Sequence, residues 1–260
     1  PEITNQPANL TSDLTITLDY VQAGTTDTGE VLPIKNNVMR SYHWNTTNDY
    51  HSDEYREKIT SIEFSNNKNI PSEAVQSWDV SERQDGSVMA WIVNDTENAG
   101  YYKLYIGGDG GVVANPNSST LFANFKQTKT IDLSNFDTSS VTNMGQMFYG
   151  SSKITELDLS NFDTSSVTDM GQMFYGLSKI TELDLSNFDT SNVTSMTAMF
   201  HNCSSLKALD LSNFNTKKVT GMVNMFLNAT NLQTIYVGPN WSTDGTDIYG
   251  MFSNCGTDHV

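Results

Sequence analysis

The residues best placed to do chemistry are carboxylates that return at a fixed interval. Asp132, Asp158, Asp184 and Asp210 follow one another in 26-residue steps, and Tyr236 takes the fifth place. Glu156 and Glu182 stand two positions before two of them, and Ser134, Ser160, Ser186 and Ser212 two positions after. If each step is one strand laid beside the next, neighbouring carboxylates sit about 5 Å apart. They then repel by about 1 kcal/mol per pair in water, and less with salt. So small a cost is tolerable without any ligand, which makes a solvated, solubilising face one reading. The sharper reading is a strip that meets a basic patch on a partner protein, or a divalent cation. A second column, Asp137, Asp163, Asp189 and Asn215, breaks its charge at Asn215. Capping of a short helix explains that better than metal binding does.

Other reactive patterns are sparse. His43, His51, His201 and His259 are scattered, and none stands in a metal-ligand or nucleophile spacing with Cys or Ser. Nearly every Asp after residue 130 is a repeat element, whereas a catalytic pair should occur once. The chain therefore reads as non-enzymatic, with no cofactor and no metal site. The run Gly107-Gly108-Asp109-Gly110-Gly111 lacks the carboxylates of a calcium loop and the Gly-Lys-Ser/Thr of a phosphate loop, and is read as a turn. Methionines recur in two columns, Met144, Met170, Met196, Met222 and Met147, Met173, Met199, Met225, Met251, which fits core packing better than metal. Cys203 and Cys255 lie two copies apart, about 10 Å by strand spacing and beyond the ~7 Å limit of a disulfide, so two free buried thiols are expected. Asn45-Thr46-Thr47 and Asn192-Val193-Thr194 fit the glycosylation acceptor pattern, but such tripeptides arise by chance in a chain rich in Asn, Ser and Thr.

What must position the carboxylates is the repeat itself. Asn135-Phe136-Asp137 returns at 161–163 and 187–189, and as Asn213-Phe214-Asn215; Met147-Phe148 returns at 173, 199, 225 and 251. A fixed period in the twenties is the signature of stacked units. Within Lys179–Asn202, Leu183 and Leu185 alternate with Glu182, Asp184 and Ser186, the period of a half-buried strand. Asp189-Thr190-Ser191 reads as a helix start, and Val193, Met196, Met199 and Phe200 as one face of a short helix. The expected fold is an α/β repeat solenoid, a right-handed coil with one short strand and one short helix per 26-residue turn. A lone turn buries too little to fold, whereas stacked turns share their apolar layer.

Degenerate copies extend this pattern. Leu232, Ile235, Tyr236 and Val237 repeat the strand, Leu104-Tyr105-Ile106-Gly107 resembles it, and Ile59–Phe64 resembles Ile180–Leu185. Val88–Val93 and Tyr101–Ile106 flank a turn-rich stretch and read as a hairpin able to cover the first apolar face. The expected organisation is a strand plus flexible linker over 1–30, a β-rich N-terminal cap over 31–103, the solenoid over 104–256 and a tail over 257–260.

With 30 acidic against 14 basic residues the net charge is −16. That balance argues against nucleic acid and anionic membranes as partners. No run of 18 apolar residues occurs, so membrane insertion is not expected. Pro1 follows no initiator Met, and no leader or LPxTG-type sorting motif is present, so a piece excised from a longer protein is the simplest expectation.

The motif running from Leu157-Asp158-Leu159-Ser160-Asn161-Phe162-Asp163-Thr164-Ser165 through Phe174 resembles the repeat of the BspA-like leucine-rich-repeat surface proteins. Ser77–Ser81, Gly86–Trp91 and Leu104–Gly107 resemble their cap, so the likeness covers about residues 38–256. The resemblance implies a secreted or wall-anchored bacterial protein, associated with adhesion to host extracellular proteins and cells, and it carries no catalytic residues. The expected function is thus an extracellular, cell-surface binding module. It is expected to act as a monomer and to engage a host or matrix protein through Asp132, Asp158, Asp184, Asp210, Tyr236, Glu156 and Glu182. The alternatives are a rigid spacer presenting another module, favoured by the near-identity of 131–156 and 157–182, and a calcium-stabilised stalk.

Overall fold

Runs of β-branched and aromatic residues broken by turn signals make a sheet of the first third of the described chain. The computed structural model describes residues 36–42 and 48–256, which belong to the compact unit Asn36–Val260. The strand and linker expected within 1–30 and the tail 257–260 lie outside the described residues. Strands β1 (Ile59–Ser65), β2 (Gln76–Asp79), β3 (Val88–Asn94), β4 (Tyr102–Gly108) and β6 (Thr130–Asp132) form a mixed sheet in the order β2-β3-β4-β1-β6. The hairpin β3–β4 pairs from Val88↔Gly108 to Asn94↔Tyr102, and β1 then lies parallel to β4 on one side and to β6 on the other. At Gly107 a side chain would collide with the carbonyl of Asn67, so the close approach of those two segments requires glycine.

The parallel neighbours show how the first copy is assembled. Ser61↔Thr130 through Glu63↔Asp132 align β1 with β6, while β5 (Val112–Val113) aligns with β7 (Phe136–Asp137). The copy preceding 130–155 is therefore made of two pieces, 59–66 and 112–129, with 67–111 inserted between them. Hydrogen bonds at the splice, Gly110 N–H to Asn66 O (2.8 Å) and Val112 N–H to Asn135 O (2.9 Å), close the base of the insertion. Leu104–Gly107 thus lies within β4, between β3 and β1. On the other side of Val113 runs the segment 36–42, through Met39 N–H to Val113 O (3.0 Å) and Val113 N–H to Asn37 O (2.8 Å).

From residue 130 onward the backbone departs from the expected α/β solenoid, and that expectation is corrected. Among the described residues the one α-helix is α1 (Asp53–Arg56), outside the repeats. The segments expected to be helical are successions of turns. Met147, Tyr149 and Ser151 donate N–H to the carbonyl three residues back, while Met144, Gln146, Phe148 and Gly150 donate to Asp169, Gly171, Met173 and Tyr175 of the next copy (2.8–3.0 Å). A helix would instead join each N–H to the carbonyl four residues back. The cause lies in two left-handed columns four residues apart. One is Thr120, Gln146, Gln172, Ala198, Asn224 and Gly250, at φ +52 to +66; the other is Asn124, Gly150, Gly176, Asn202, Asn228 and Asn254, at φ +54 to +77. A left-handed residue turns the chain out of the right-handed helical path, and two per copy leave no room for one. Strands are not present in every copy either. β8 (Ala208–Leu211) pairs in parallel with β9 (Thr234–Val237), but Glu156–Ser160 and Glu182–Ser186 alternate in burial without forming strands. The chain builds small mixed sheets joined by turns.

The same apolar columns are nonetheless buried. Both methionine columns are fully buried except Met251 at 3% and Ile248 at the fifth place of the first column, which is 45% exposed. Phe122, Phe148, Phe174, Phe200, Phe226 and Phe252 pack face to face, with ring centres 5.4–5.9 Å apart and planes within 17°. Cys203 is buried, its thiol 3.1 Å from Phe174 O, and burial pushes its pKa up to about 12. Ser151 fills the equivalent place, bonding Phe122 O at 2.6 Å, while Cys255 is half-buried and also free.

Candidate functional site

Period-two alternation sends Leu159, Leu185, Leu209 and Leu211 inward and leaves the residues between them outside. Asp132, Asp158, Asp184, Asp210, Glu156 and Glu182 are accordingly all exposed, and Tyr236 is 57% exposed. Asp210 and Tyr236 are direct partners in the β8–β9 pair. Asp184 feels the charges of both Asp158 and Asp210, which places the three in succession.

Each carboxylate of this column is also tied to its own backbone. Asp132, Asp158, Asp184 and Asp210 accept the N–H of Ser134, Ser160, Ser186 and Ser212 at 2.9–3.0 Å. Such bonds favour the charged form, and the pKa values of Asp158, Asp184 and Asp210 are lowered by their bonds to the following serine. At Asp184 the neighbouring charges oppose that effect without reversing it. The face is therefore a line of fixed negative charges near neutral pH, held in place by local turns.

The second column uses the same device. Asp137, Asp163, Asp189 and Asn215 accept the N–H two residues on, at 2.8–3.2 Å. They close turns and do not cap a helix as expected, because no helix follows. Among the described residues no group of three or more His, Cys, Asp or Glu side chains could hold a metal ion. His51 is buried and His201 packs 4.5 Å from the Tyr175 ring, while His43 and His259 lie outside the described residues.

The site reaches further than the sequence reading took it. Glu63 on β1 is the direct partner of Asp132 and is exposed, so it adds a carboxylate at the head of the column. The likeness of Ile59–Phe64 to Ile180–Leu185 already sets Glu63 opposite Asp184. Beyond it the line continues across the sheet to Tyr105 and Trp91, whose rings stack at 5.8 Å and 10°.

Two further columns fix the register of the face. Asn161, Asn187 and Asn213 send their side-chain amides back to the carbonyls of Leu133 and Phe136, Leu159 and Phe162, and Leu185 and Phe188 (2.8–3.1 Å). The buried hydroxyls of Thr138, Thr164 and Thr190 reach forward. Each donates to the carbonyl of residue 163, 189 or 215 in the next copy and accepts that residue's N–H. Copies are thereby bonded in both directions through neutral groups, which holds successive carboxylates in line.

Residues 117–241, slightly less than half of the chain, match a family model described as "Mycoplasma protein of unknown function, DUF285". No match was found among curated proteins or among solved structures. Among the described residues no helix is long and apolar enough to cross a membrane.

Proposed function

We propose that the chain is a non-enzymatic binding module of a bacterial cell surface, acting as a monomer outside the cell. Its exposed carboxylate column would meet a basic patch on a host or matrix protein. The observation that carries this reading is the column itself: Asp158, Asp184 and Asp210 stand exposed, charged and in register. A long line of like charge, fixed before binding, attracts a complementary partner and adds little ordering cost at contact.

Replacing Asp158, Asp184 and Asp210 together by Asn removes three charges while keeping an oxygen to accept the serine N–H. Binding to immobilised extracellular-matrix and serum proteins should weaken about tenfold or more and become less sensitive to salt, while the variant still folds and melts cooperatively. Binding that survives the triple change would move the contact elsewhere. A rigid-spacer role is the second reading, favoured by the near-identity of 131–156 and 157–182. It gains support if no such protein binds at micromolar concentration. Calcium stabilisation is tested by chelation, which should lower the melting temperature if it operates.

A further inference from the structure

Away from the carboxylate face, the turns of four successive copies, from Ser119 to Thr197, line an open polar groove of about 430 Å³. One wall is the column Asn143, Asp169 and Ser195, bridged in parallel pairs from copy to copy; the other is Gln146 and Gln172. Its floor is Gly145 and Gly171. Asn143 Oδ1 and Asp169 Oδ1 are used locally, accepting the N–H of Gly145 and Gly171 at 2.8 Å. Their other polar atoms are not: among the described residues Asn143 Nδ2 and Asp169 Oδ2 take no partner. A Cβ placed on Gly145 would lie 3.3 Å from Asp169 Oδ2, so that oxygen overhangs the bare glycine. Gln146 Nε2 donates to Gln172 Oε1, which leaves the Gln172 amide N–H groups for another acceptor.

The groove is confined to these copies by side chains alone. Past Gly145 and Gly171 the same place is taken by Thr197, Val223 and Tyr249, and past Gln172 the amide is replaced by Ala198. The backbone bonds between copies continue unchanged through that region, from Met196 N–H to Gly221 O and from Met222 N–H to Asp247 O. Identical scaffolding with different fillings means that the opening is not a requirement of the fold.

We propose that this groove binds a neutral saccharide chain lying along the columns. Its lining holds no Lys or Arg to take a phosphate or carboxylate, and no large apolar side chain to take a lipid or hydrophobic peptide. It offers a carboxylate oxygen, amide donors and hydroxyls at short intervals. That set matches vicinal hydroxyls, each of which donates to the carboxylate and accepts from an amide. The copies are bridged backbone to backbone and so repeat at about 5 Å, comparable to the length of one pyranose ring. The volume falls in the range of small-ligand sites.

The test is an array of neutral and acidic oligosaccharides probed with the whole chain, followed by calorimetric titration of the best binder. Gly171→Thr fills the floor with the residue that Thr197 already supplies in the next copy. Asp169→Asn keeps the turn bond, as Asn143 does, and removes the free carboxylate oxygen. The expected result is millimolar or tighter binding to a neutral glycan, weakened about tenfold or more by each variant, with unchanged melting temperatures and no effect of Asp158→Asn. No neutral binder at millimolar concentration, a preference for acidic glycans, or undiminished binding by both variants would overturn the proposal. If Gly171→Thr does not fold, Asp169→Asn alone decides.

Discussion

The N-terminal region and the repeats bury polar groups in opposite ways. Around Arg40–Tyr42 and Asp49–Arg56 the buried groups include the charges of Asp49 and Arg56, and each arrangement occurs once. The Asp49 carboxylate, 1% exposed, takes Arg40, the Tyr42 hydroxyl (3.1 Å) and the His51 N–H (2.8 Å), and His51 Nε2 lies 3.2 Å from Thr120 O. In the repeats the buried groups are neutral hydroxyls, and the same bond recurs from copy to copy. The N-terminal region should therefore answer to pH, whereas the repeats should answer to loss of packing or of single hydrogen bonds, with the same loss at equivalent places. Buried charge must be matched by a specific partner; a neutral hydroxyl that both donates and accepts can be copied indefinitely.

The largest effect expected is in the aromatic column. Phe174→Ala, with Phe148 on one side and Phe200 on the other, should lower the unfolding free energy in urea by about 3–5 kcal/mol. Phe252 is half-buried and stacks on Phe226, so Phe252→Ala should cost less than half as much. Equal losses at both places would mean that the column does not share its packing between neighbours.

Next comes the pH response of the N-terminal region. Burial, with the nearby Arg56 charge adding to it, holds the His51 pKa down to about 4, against an ordinary 6.5. The folded chain then binds fewer protons than the unfolded chain between those values, so stability is full above pH 6.5 and is lost as pH falls towards 4. The loss is about 3 kcal/mol. His51→Gln should flatten most of that slope in melts taken from pH 7 to 4. His201, half-buried, is also held low by burial and leaves a smaller slope of the same sign. The repeat carboxylates Asp158, Asp163, Asp184 and Asp210 are held below their ordinary value, so their contribution persists above the carboxylate range and fades only at lower pH. A slope that survives removal of both histidines would break the contrast.

A smaller, pH-independent loss should follow Thr164→Val. The hydroxyl is 1% exposed as part of its residue, donates to Asp189 O at 3.0 Å and accepts Asp189 N–H at 2.8 Å. Valine fills the space but leaves the N–H without its partner, at a cost of about 1–3 kcal/mol. Thr190→Val, with the same bonds to Asn215, should give the same figure within error.

The period, the inward residues and the exposed carboxylates were legible because side-chain alternation and a fixed interval depend on sequence alone. The conformation between them was not. Val193, Met196, Met199 and Phe200 are all buried, as one helix face would be, and the turns produce the same burial by a different backbone path. Asn202, Asn228 and Gly176 hint at left-handed residues, but Gln146, Gln172 and Ala198 carry no such preference; they are left-handed all the same, each with its N–H bonded to the next copy. The divided first copy was hidden because 67–111 separate Glu63 from the residues that follow it in every other copy. Of the groove, nothing in the pattern marked Gly145 and Gly171 as a floor or placed Asp169 Oδ2 over Gly145.

The smallest prediction decides between turn and helix by sign. Ala198 sits at φ +52 in the middle of the stretch that periodicity assigned to a helix. In a helix, Ala198→Gly would destabilise the fold by about 1 kcal/mol, since glycine is the poorer helix former. In the left-handed conformation the change instead relieves the contact between Cβ and the carbonyl, worth about 1–2 kcal/mol, against about 0.5–1 kcal/mol of extra unfolded-chain entropy. Ala198 N–H still donates to Val223 O, which the substitution leaves intact. Loss of the buried Ala198 methyl offsets part of that gain, so the expected outcome is a urea midpoint unchanged or slightly raised, with an unchanged slope, where a helix requires a fall. Asn224 and Gly250 already occupy the equivalent place in the later copies, so the chain itself tolerates the replacement.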